Sequence, residues 1–281
     1  MKSCVIIPVH DRKAITLRCL RCLLGNGLPA DTGIIVIDDG SKDGTAEAVG
    51  SAFPDVKLIF GNGELYWTGG IRAGMQCALG MNAEYLFWLN DDCLPDPECF
   101  SVMQEFLRKN PRSISGAVCF LEGESEPIRT GFRCRSTVPS SLSTLTDVHG
   151  LSGYCVGMPS QLCREIGLPD ARHLPHYGAD SIYTLQAHRR GFRVVILPNA
   201  KVYLMARHEP ATLKERAKEF KDGRFQFIRA TFFRKKSKYY LTGQYWYHWY
   251  KYSFPVGPFL FLFKLLQWFL LTMRYVGQSQ N

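Results

Sequence analysis

The stretch YLFWLNDDCLPDP (Tyr85–Pro97) joins an apolar run to two adjacent carboxylates and then to two prolines. An apolar run of this length that ends at turn residues is typical of a strand buried on both faces, as in a parallel sheet covered by helices. Asp91 and Asp92 then lie at the carboxyl end of that strand, where open α/β sheets bind ligands. Two adjacent acids repel each other unless a cation or hydrogen-bond donors are nearby. The stretch alone leaves two interpretations open, a polar turn that closes a strand and a metal- or phosphate-binding site.

Further short apolar runs alternate with helix-patterned segments around this stretch. The runs CVIIPV (4–9), IIVIDD (34–39) and VKLIF (56–60) predict strands, and apolar residues at spacings of three and four predict a helix between the first two. Strand–helix alternation with short connections predicts right-handed βαβ units. The fold class is therefore α/β, with a mostly parallel sheet flanked by helices and with strand ends that converge on one edge.

The basic charge of the chain is concentrated at its C-terminal end. The formal net charge is +9, but residues 1–211 contain 21 Lys and Arg against 22 Asp and Glu, whereas residues 212–281 contain 13 against 3. This asymmetry separates a predicted α/β domain (1–211) from a basic, aromatic helical extension (212–281). Cations interleaved with aromatic residues suit either single-stranded nucleic acid or an anionic lipid surface.

The apolar segment 254–273 within the extension distinguishes between those partners. As a helix it would span roughly 30 Å, enough to cross a bilayer. However, four polar residues fall within one sector of the helical wheel, namely Lys264, Gln267, Thr272 and Arg274. This pattern favours a helix that lies in the membrane interface. A helix docked on the core of the domain is the alternative, and nucleic acid is not expected as a partner.

The cysteines indicate a reducing compartment. Ten cysteines occur without the spacing of a disulfide framework, and several lie in apolar runs. Cys19 and Cys22 form a lone CxxC pair without a second pair to complete a zinc site. The N-terminal MKSCVIIPV is too short for the apolar region of a signal peptide, so we expect a cytoplasmic protein.

Two more strand ends have residues that suit a phosphate or nucleotide ligand. VIDDGSKDGT (36–45) places Asp38 and Asp39 before a helix N-terminus, where a carboxylate can accept from a base or a ribose hydroxyl. YWTGGIRAGM (66–75) predicts that Gly69, Gly70 and Arg72 stand at a strand-to-helix junction, where the backbone can approach a diphosphate. The alternative is a capping turn for the first motif and a glycine turn with an exposed Arg for the second. Three such strand ends on one edge of a sheet favour a ligand site.

The order and spacing of these motifs resemble those of the family 2 glycosyltransferases, which have the nucleotide-diphospho-sugar transferase (GT-A) fold. The resemblance extends over roughly residues 3–210 and rests on five motifs: VIIPVHDR, VIDDGSKDGT, WTGGIRAGM, LNDD and HYGADSIYTLQAHRRGF. It implies a catalytic domain over 1–211, with a nucleotide-binding half at about 1–120 and an acceptor half at about 121–211.

The resemblance also implies roles for individual residues. The residues expected to bind the nucleotide sugar are Pro8, Val9, His10, Asp38, Asp39, Gly69, Gly70, Arg72 and Asp91. Asp39 would meet the base. NDD (90–92) matches an Asp-x-Asp metal motif with Asn90 in place of the first acid and Asp92 as the second. His208, just after KVYLMA, matches a histidine that can complete the metal site in relatives, so Asp92 and His208 are the expected metal ligands. Asp180 matches the catalytic base, although Ala179 replaces the Glu that often precedes it.

The implied activity is that of an inverting, metal-dependent hexosyl- or deoxyhexosyltransferase that uses Mn²⁺ or Mg²⁺. Its donor would be a UDP or dTDP sugar, and its acceptor a glycan or a polyprenyl-linked glycan in the synthesis of a cell-surface polysaccharide or glycolipid. The protein would be peripheral at the inner face of the cell membrane. Two alternatives stay open: a non-catalytic module that binds nucleotide sugars, and a sugar-phosphate nucleotidyltransferase. PVHDRKA (8–14) lacks the Gly-rich phosphate loop that the second alternative needs.

Overall fold

The computed structural model describes residues 2–134, 138, 143–206, 210–220 and 223–278. Its strands are β1 (Ser3–Val9), β2 (Thr32–Asp38), β3 (Lys57–Phe60), β4 (Tyr85–Leu89), β5 (Cys93–Pro95), β6 (Ser113–Leu121), β7 (Pro127–Ile128), β8 (Gly131–Phe132), β9 (Thr146–Val148), β10 (Gly150–Leu151), β11 (Cys155–Pro159) and β12 (Arg193–Leu204). Its helices are α1 (Lys13–Gly25), α2 (Thr45–Ala52), α3 (Tyr66–Gly80), α4 (Cys99–Lys109), α5 (Ser160–Ile166), α6 (Ala179–Arg189), α7 (Leu213–Glu219), α8 (Arg224–Ile228), α9 (Leu241–Tyr252) and α10 (Val256–Gln278).

The central sheet has the strand order β3-β2-β1-β4-β11-β6-β12-β5. β1 pairs in parallel with β2 and β4, β2 pairs in parallel with β3, and β6 pairs in parallel with β12. β11 runs antiparallel between β4 and β6. The predicted α/β fold with a mostly parallel sheet flanked by helices is confirmed. The carboxyl ends of β1, β2 and β4 lie side by side, as the motifs require.

The sheet is buried on both faces because alternate residues of each strand point to opposite sides. Val5 and Phe87 belong to the apolar layer beneath α1 and α4, whereas Ile6 and Trp88 belong to the layer beneath α3 and α6. All four side chains have no exposed surface. This arrangement explains the uninterrupted apolar runs of β1 and β4, since a strand covered by helices on both faces has no polar side.

The segment from 121 to 150 contains several short strands. β7 pairs with β6, β9 pairs with β12, and β8 and β10 form a separate two-stranded sheet. These residues are rich in Glu, Ser, Thr and Gly and lack periodicity, a composition that predicts a long loop or an irregular β segment, and the second alternative is correct for the described residues. β10 is followed directly by Ser152, Gly153 and Tyr154, which contribute to the cleft described below.

The C-terminal extension consists of helices that pack on one another and on the α/β domain. Trp268 of α10 is buried against Phe232 and Tyr239, in a small apolar cluster that also includes Leu213 of α7. α9 packs against α6, and Arg189 donates hydrogen bonds from its guanidinium to the carbonyls of Tyr250 and Lys251 at 2.5 and 2.6 Å. The extension is therefore helical, as predicted, and α9 is docked on the domain.

α10 is anchored by the buried Trp268 and has one exposed apolar face. By length and composition, Val256–Tyr275 could cross a membrane. Seven apolar side chains, here called the apolar stripe, are between 56% and 71% exposed: Phe259, Leu262, Phe263, Leu266, Phe269, Leu270 and Met273. Because they recur at spacings of three and four, they lie along one side of the helix.

Candidate active site

A cleft of about 840 Å³ opens at the carboxyl ends of β1 and β4. Most of the residues that the sequence assigns to a site meet here, together with residues from distant segments. Its lining includes Pro8, Val9, His10, Arg12, Asp39, Tyr66, Trp67, Asn90, Asp91, Asp92, Gly153, Tyr154, His176, Asp180 and Lys236. The cleft is large enough for a ligand the size of a nucleotide sugar, since pockets of about 300–1,000 Å³ hold such small molecules.

The paired acids after β4 share one internal counter-ion. Asp91 and Asp92 are 3% and 7% exposed. The guanidinium of Arg12 spans both, since Nη1 donates to Asp91 Oδ1 and Nη2 donates to Asp92 Oδ2, each at 2.8 Å. The hydroxyl of Thr16 donates to Asp91 Oδ2 at 3.1 Å. Burial raises the pKa of Asp91 to about 7, although the charge of Arg12 opposes the shift.

The side chain of Asn90, at the first position of the acidic motif, is hydrogen-bonded to the indole of Trp67. Its Oδ1 accepts a hydrogen bond from Trp67 Nε1 at 2.8 Å. The Trp67 ring packs edge-on against Trp88 of β4, with ring centroids 5.6 Å apart. Within the described part of the chain, Asp92 Oδ1 is thus the one side-chain oxygen of residues 90–92 without an N–H or O–H donor, and it faces the Cys93 thiol at 3.9 Å.

The predicted metal ligands are only partly placed by the structure. Asp92 lines the cleft, as expected from the motif. His208 lies outside the described residues, so its role stays a prediction. Among the described residues, no group of three or more His, Cys, Asp or Glu side chains is arranged to hold a metal ion.

The predicted nucleotide wall is assembled from β1 and the end of β2. Pro8, Val9 and His10 line the cleft, and His10 Nδ1 lies 2.7 Å from the carbonyl oxygen of Asp39. The Asp39 carboxylate accepts backbone N–H groups from Gly63, Leu65 and Tyr66 at 2.8 to 3.2 Å. Asp39 therefore organises the loop before α3 while it lines the cleft. Its contact with a base stays a prediction.

Four other residues assigned to the nucleotide sugar are not part of the cleft lining. Asp38 is 2% exposed, and its Oδ1 accepts the N–H of Ser41 at 2.9 Å, so it closes the turn after β2. Gly69 and Gly70 lie inside α3, which begins at Tyr66 rather than at the glycines.

The glycine pair and Arg72 have contacts within the fold, and their binding of the donor stays a prediction. A Cβ on Gly70 would lie 2.9 Å from Cβ of Pro8, so the glycine allows α3 to approach β1. Arg72 Nη1 donates to the carbonyl of Pro169 at 3.3 Å. The prediction that these residues stand at a strand-to-helix junction is corrected, because the junction precedes them by one helical turn.

Asp180 is the second residue of α6 and also lines the cleft. Its Oδ2 accepts the N–H of Gly153 at 2.6 Å, and its Oδ1 accepts the N–H of Ser181 at 2.7 Å. Burial raises the pKa of Asp180, while these hydrogen bonds oppose the rise. The N-cap of α6 is Gly178, so Asp180 does not cap the helix. A half-buried carboxylate with a raised pKa suits a proton acceptor.

The structure also brings in residues that the sequence did not single out. His176 lines the cleft with a buried Nδ1 that has no hydrogen-bond partner among the described residues. Burial, with a smaller effect of the Lys236 charge, lowers the pKa of His176 to about 4, so the ring is neutral at neutral pH. Lys236 comes from the extension, and Tyr247 of α9 touches Gly178, next to the Asp180 helix. His176 is the first residue of the HYGADSIYTLQAHRRGF motif, and Lys236 and Tyr247 belong to the basic, aromatic extension, but no local pattern predicts that they come close to the cleft.

We expect Gly153→Ala to lower the free energy of unfolding by about 1–3 kcal/mol, the usual cost of overpacking. A Cβ at this position would lie 2.5 Å from Trp67 Cζ2 and 3.2 Å from Asp180 Cβ. Urea denaturation measures the change. Gly80→Ala is the matched control, because nothing lies within 4 Å of its added Cβ. Equal stability of the two variants would show that Trp67 and Asp180 are not held as closely as described.

The fold matches those of solved glycosyltransferases. A structure of GalNAc-T7 with UDP, GalNAc and Mn²⁺ is 15% identical, with a TM-score of 0.61 over 90% of this chain and 51% of that one. A structure of S. aureus TarS is 15% identical, with a TM-score of 0.58 over 82% of this chain and 39% of that one. The chain thus spans about half or less of these proteins. No curated protein matches it. The architecture and the position of the cleft define the GT-A class of glycosyltransferase folds.

A family profile described as "Glycosyl transferase family 2" matches residues 4–166, more than half of the chain. The chain belongs to glycosyl transferase family 2. The match includes the nucleotide wall and the acidic motif, whereas Asp180 and the extension lie beyond its end.

Proposed function

We propose that this protein is an inverting glycosyltransferase that transfers a sugar from a nucleotide-diphosphate donor to a hydroxyl of a glycan acceptor. The observation that supports this function best is that one cleft is lined both by the paired carboxylates Asp91 and Asp92 and by the carboxylate of Asp180, which comes from a different element. Family membership and the GT-A fold support the same reaction class.

The donor would lie along the wall formed by β1 and Asp39. Pro8 and Val9 offer an apolar surface to a base, and His10 adds a polar edge. The diphosphate would then point toward the acidic motif after β4, where Arg12 supplies positive charge. We propose a UDP or dTDP sugar as the donor, with a hexosyl or deoxyhexosyl group to transfer.

A divalent cation, Mn²⁺ or Mg²⁺, fits the chemistry of this wall. Hard cations prefer oxygen ligands, and Mg²⁺ is commonly held by one or two carboxylates together with substrate phosphates. Asp92 would be its protein ligand through Oδ1, and Asp91 would be the second carboxylate. When bound, such an ion neutralises charge that develops on the leaving diphosphate.

Asp180 would act as the general base. Its carboxylate would accept the proton of the acceptor hydroxyl while that hydroxyl attacks the anomeric carbon from the face opposite the diphosphate, which inverts the configuration. Gly153 and Ser181 hold both carboxylate oxygens through backbone N–H groups, so the side chain is fixed in orientation. His176 and Tyr154 line the same part of the cleft and would position the acceptor.

The extension would hold the enzyme at the inner face of the cell membrane, near a polyprenyl-linked acceptor in polysaccharide or glycolipid synthesis. The apolar stripe of α10 offers a surface that could enter the acyl boundary of a bilayer, as amphipathic helices do. The excess of Lys and Arg over residues 212–281 would attract anionic lipid. Lys236 connects the same extension to the cleft, which would place the acceptor close to the membrane.

A thermal-shift screen of UDP, GDP and dTDP sugars with Mn²⁺ tests the donor. We expect the correct donor at 100 times its Kd to raise the melting temperature by about 5 °C, because ligand binding stabilises the folded state by about 2.7 kcal/mol at that excess. Asp92→Asn should remove the part of the shift that depends on Mn²⁺. If no nucleotide sugar shifts the wild type, the proposed function is wrong. Donor binding without metal-dependent donor hydrolysis would instead favour the non-catalytic module.

A further inference from the structure

Arg12 occupies the position that a cation between Asp91 and Asp92 would need. Its two terminal nitrogens each donate to a different carboxylate at 2.8 Å, so one guanidinium already neutralises part of the paired charge. A bidentate, charge-assisted contact of this kind is among the stronger hydrogen-bonded pairs in proteins. Its strength increases where water is excluded, and the Asp91 and Asp92 side chains are 4% and 11% exposed.

The remaining oxygens of the motif give a free cation little to bind. Trp67 holds the amide oxygen of Asn90, and Thr16 holds the second oxygen of Asp91. Within the described part of the chain, Asp92 Oδ1 is the oxygen of the motif that no N–H or O–H group bonds, and its neighbour is the Cys93 thiol at 3.9 Å. A divalent cation that approached the enzyme alone would therefore find one carboxylate oxygen and a neighbouring positive charge.

Arg12 stands where a ligand in the cleft could reach its guanidinium. It lies between β1 and α1, its side chain is 30% exposed, and it lines the cleft. A donor diphosphate in the cleft would offer the guanidinium a second anion of suitable geometry, because the planar fork of Arg matches phosphate as well as carboxylate. The carboxylates would then be released for the cation that accompanies the donor.

We propose that Arg12 and a divalent cation compete for Asp91 and Asp92, so that the cation binds together with the donor and not before it. This inference rests on the metal-assisted function proposed above. Arg12 would then link metal binding to donor binding. In the donor-free enzyme, Arg12 is the counter-ion of Asp91 and Asp92.

The test is calorimetric titration of Mn²⁺ into the full chain without any nucleotide. We expect weak binding to the wild type and an affinity at least about tenfold higher for Arg12→Ala, because the competing charge is gone. The Mn²⁺ affinity of Arg12→Lys should lie between those of the wild type and Arg12→Ala, because an ammonium group lacks the planar pair of donors with which Arg bonds both carboxylates. Arg18→Ala removes an equal charge from α1, the helix that follows Arg12, at a side chain that is 51% exposed and paired with Glu122, so it should behave as wild type.

Three outcomes would overturn the inference. The first is tight Mn²⁺ binding by the wild type that Asp92→Asn abolishes. The second is a folded Arg12→Ala that gains no affinity, and the third is an equal gain in Arg18→Ala. If Arg12→Ala does not fold, the Mn²⁺ affinities of Arg12→Lys and of the wild type test the inference: equal affinities would overturn it. The donor screen above uses the wild type with nucleotide sugars, so its failure, unlike these outcomes, would reject the glycosyltransferase function itself.

Discussion

Replacing Asp180 by Asn should lower the turnover of sugar transfer by about 10³-fold while the melting-temperature shift caused by the donor stays nearly unchanged. General-base catalysis typically contributes about 10² to 10⁴-fold, and the amide of Asn cannot accept the acceptor proton. The fold should tolerate the change, because Asn is nearly isosteric and one of its atoms still accepts a backbone N–H. Initial-rate assays with saturating donor, together with thermal melting, measure the two effects.

Asp147→Asn is the matched control for this prediction. Asp147 is an exposed carboxylate on β9 that pairs with Arg193, and it is not part of the cleft lining. Its loss should leave turnover near that of the wild type. If Asp180→Asn also keeps wild-type turnover, another group accepts the proton and the assignment of Asp180 fails.

The same side chain predicts the acid limb of the pH–rate profile. Asp180 accepts a proton only when it is ionised, and burial raises its pKa above the ordinary Asp value of 3.8. The rate should therefore fall as the pH drops through this raised value, and the fall should begin at a higher pH than for an exposed Asp. Rates measured across a pH series in one buffer system check the shift.

Replacing three leucines of the apolar stripe by Gln should release the protein from anionic vesicles. Leu262, Leu266 and Leu270 are 56% to 61% exposed along one side of α10. Full burial of a leucine contributes about 1.5–3 kcal/mol, so the triple variant should lose at least about 100-fold in vesicle affinity even if the leucines enter the bilayer only partly. Co-sedimentation with vesicles of equal parts phosphatidylglycerol and phosphatidylethanolamine measures the loss.

A control triple removes as many exposed apolar side chains from elsewhere on the surface. Leu24, Phe60 and Leu145 are 45%, 71% and 40% exposed and lie outside the extension. Their replacement by Gln should leave vesicle binding intact. Both triples should keep the donor-induced thermal shift, since none of the six residues belongs to the cleft lining. Sedimentation of the stripe variant at the wild-type level would contradict the membrane proposal.

The order of strands and helices and the edge at which ligands bind follow from the sequence by itself. Apolar runs of strand length, such as 4–9 and 84–90, depend on local composition and on burial by helices, both of which are visible in the chain. The sequence also identifies Asp39, Asp92 and Asp180 as candidate site residues, because each stands at the boundary of an element in a motif of recognisable spacing.

The start of α3 shows where local pattern is insufficient. The glycines at 69 and 70 predicted a junction, but the helix begins at Tyr66, whose N–H is held by Asp39 from 27 positions away. A helix start that is satisfied by a distant carboxylate needs no capping residue of its own. The sequence therefore contained no local sign of it.

The finer features of the site were decided by tertiary structure alone. Arg12 reaches Asp91 across 79 positions, Trp67 reaches Asn90 across 23, and Lys236 enters the cleft from the extension. Such contacts arise when separate elements pack, because a buried charge or amide must find a partner wherever the fold brings one close. Sequence spacing predicts which side chains share an element or an edge. Which of them bond to each other depends on the three-dimensional packing of elements that are far apart in the chain.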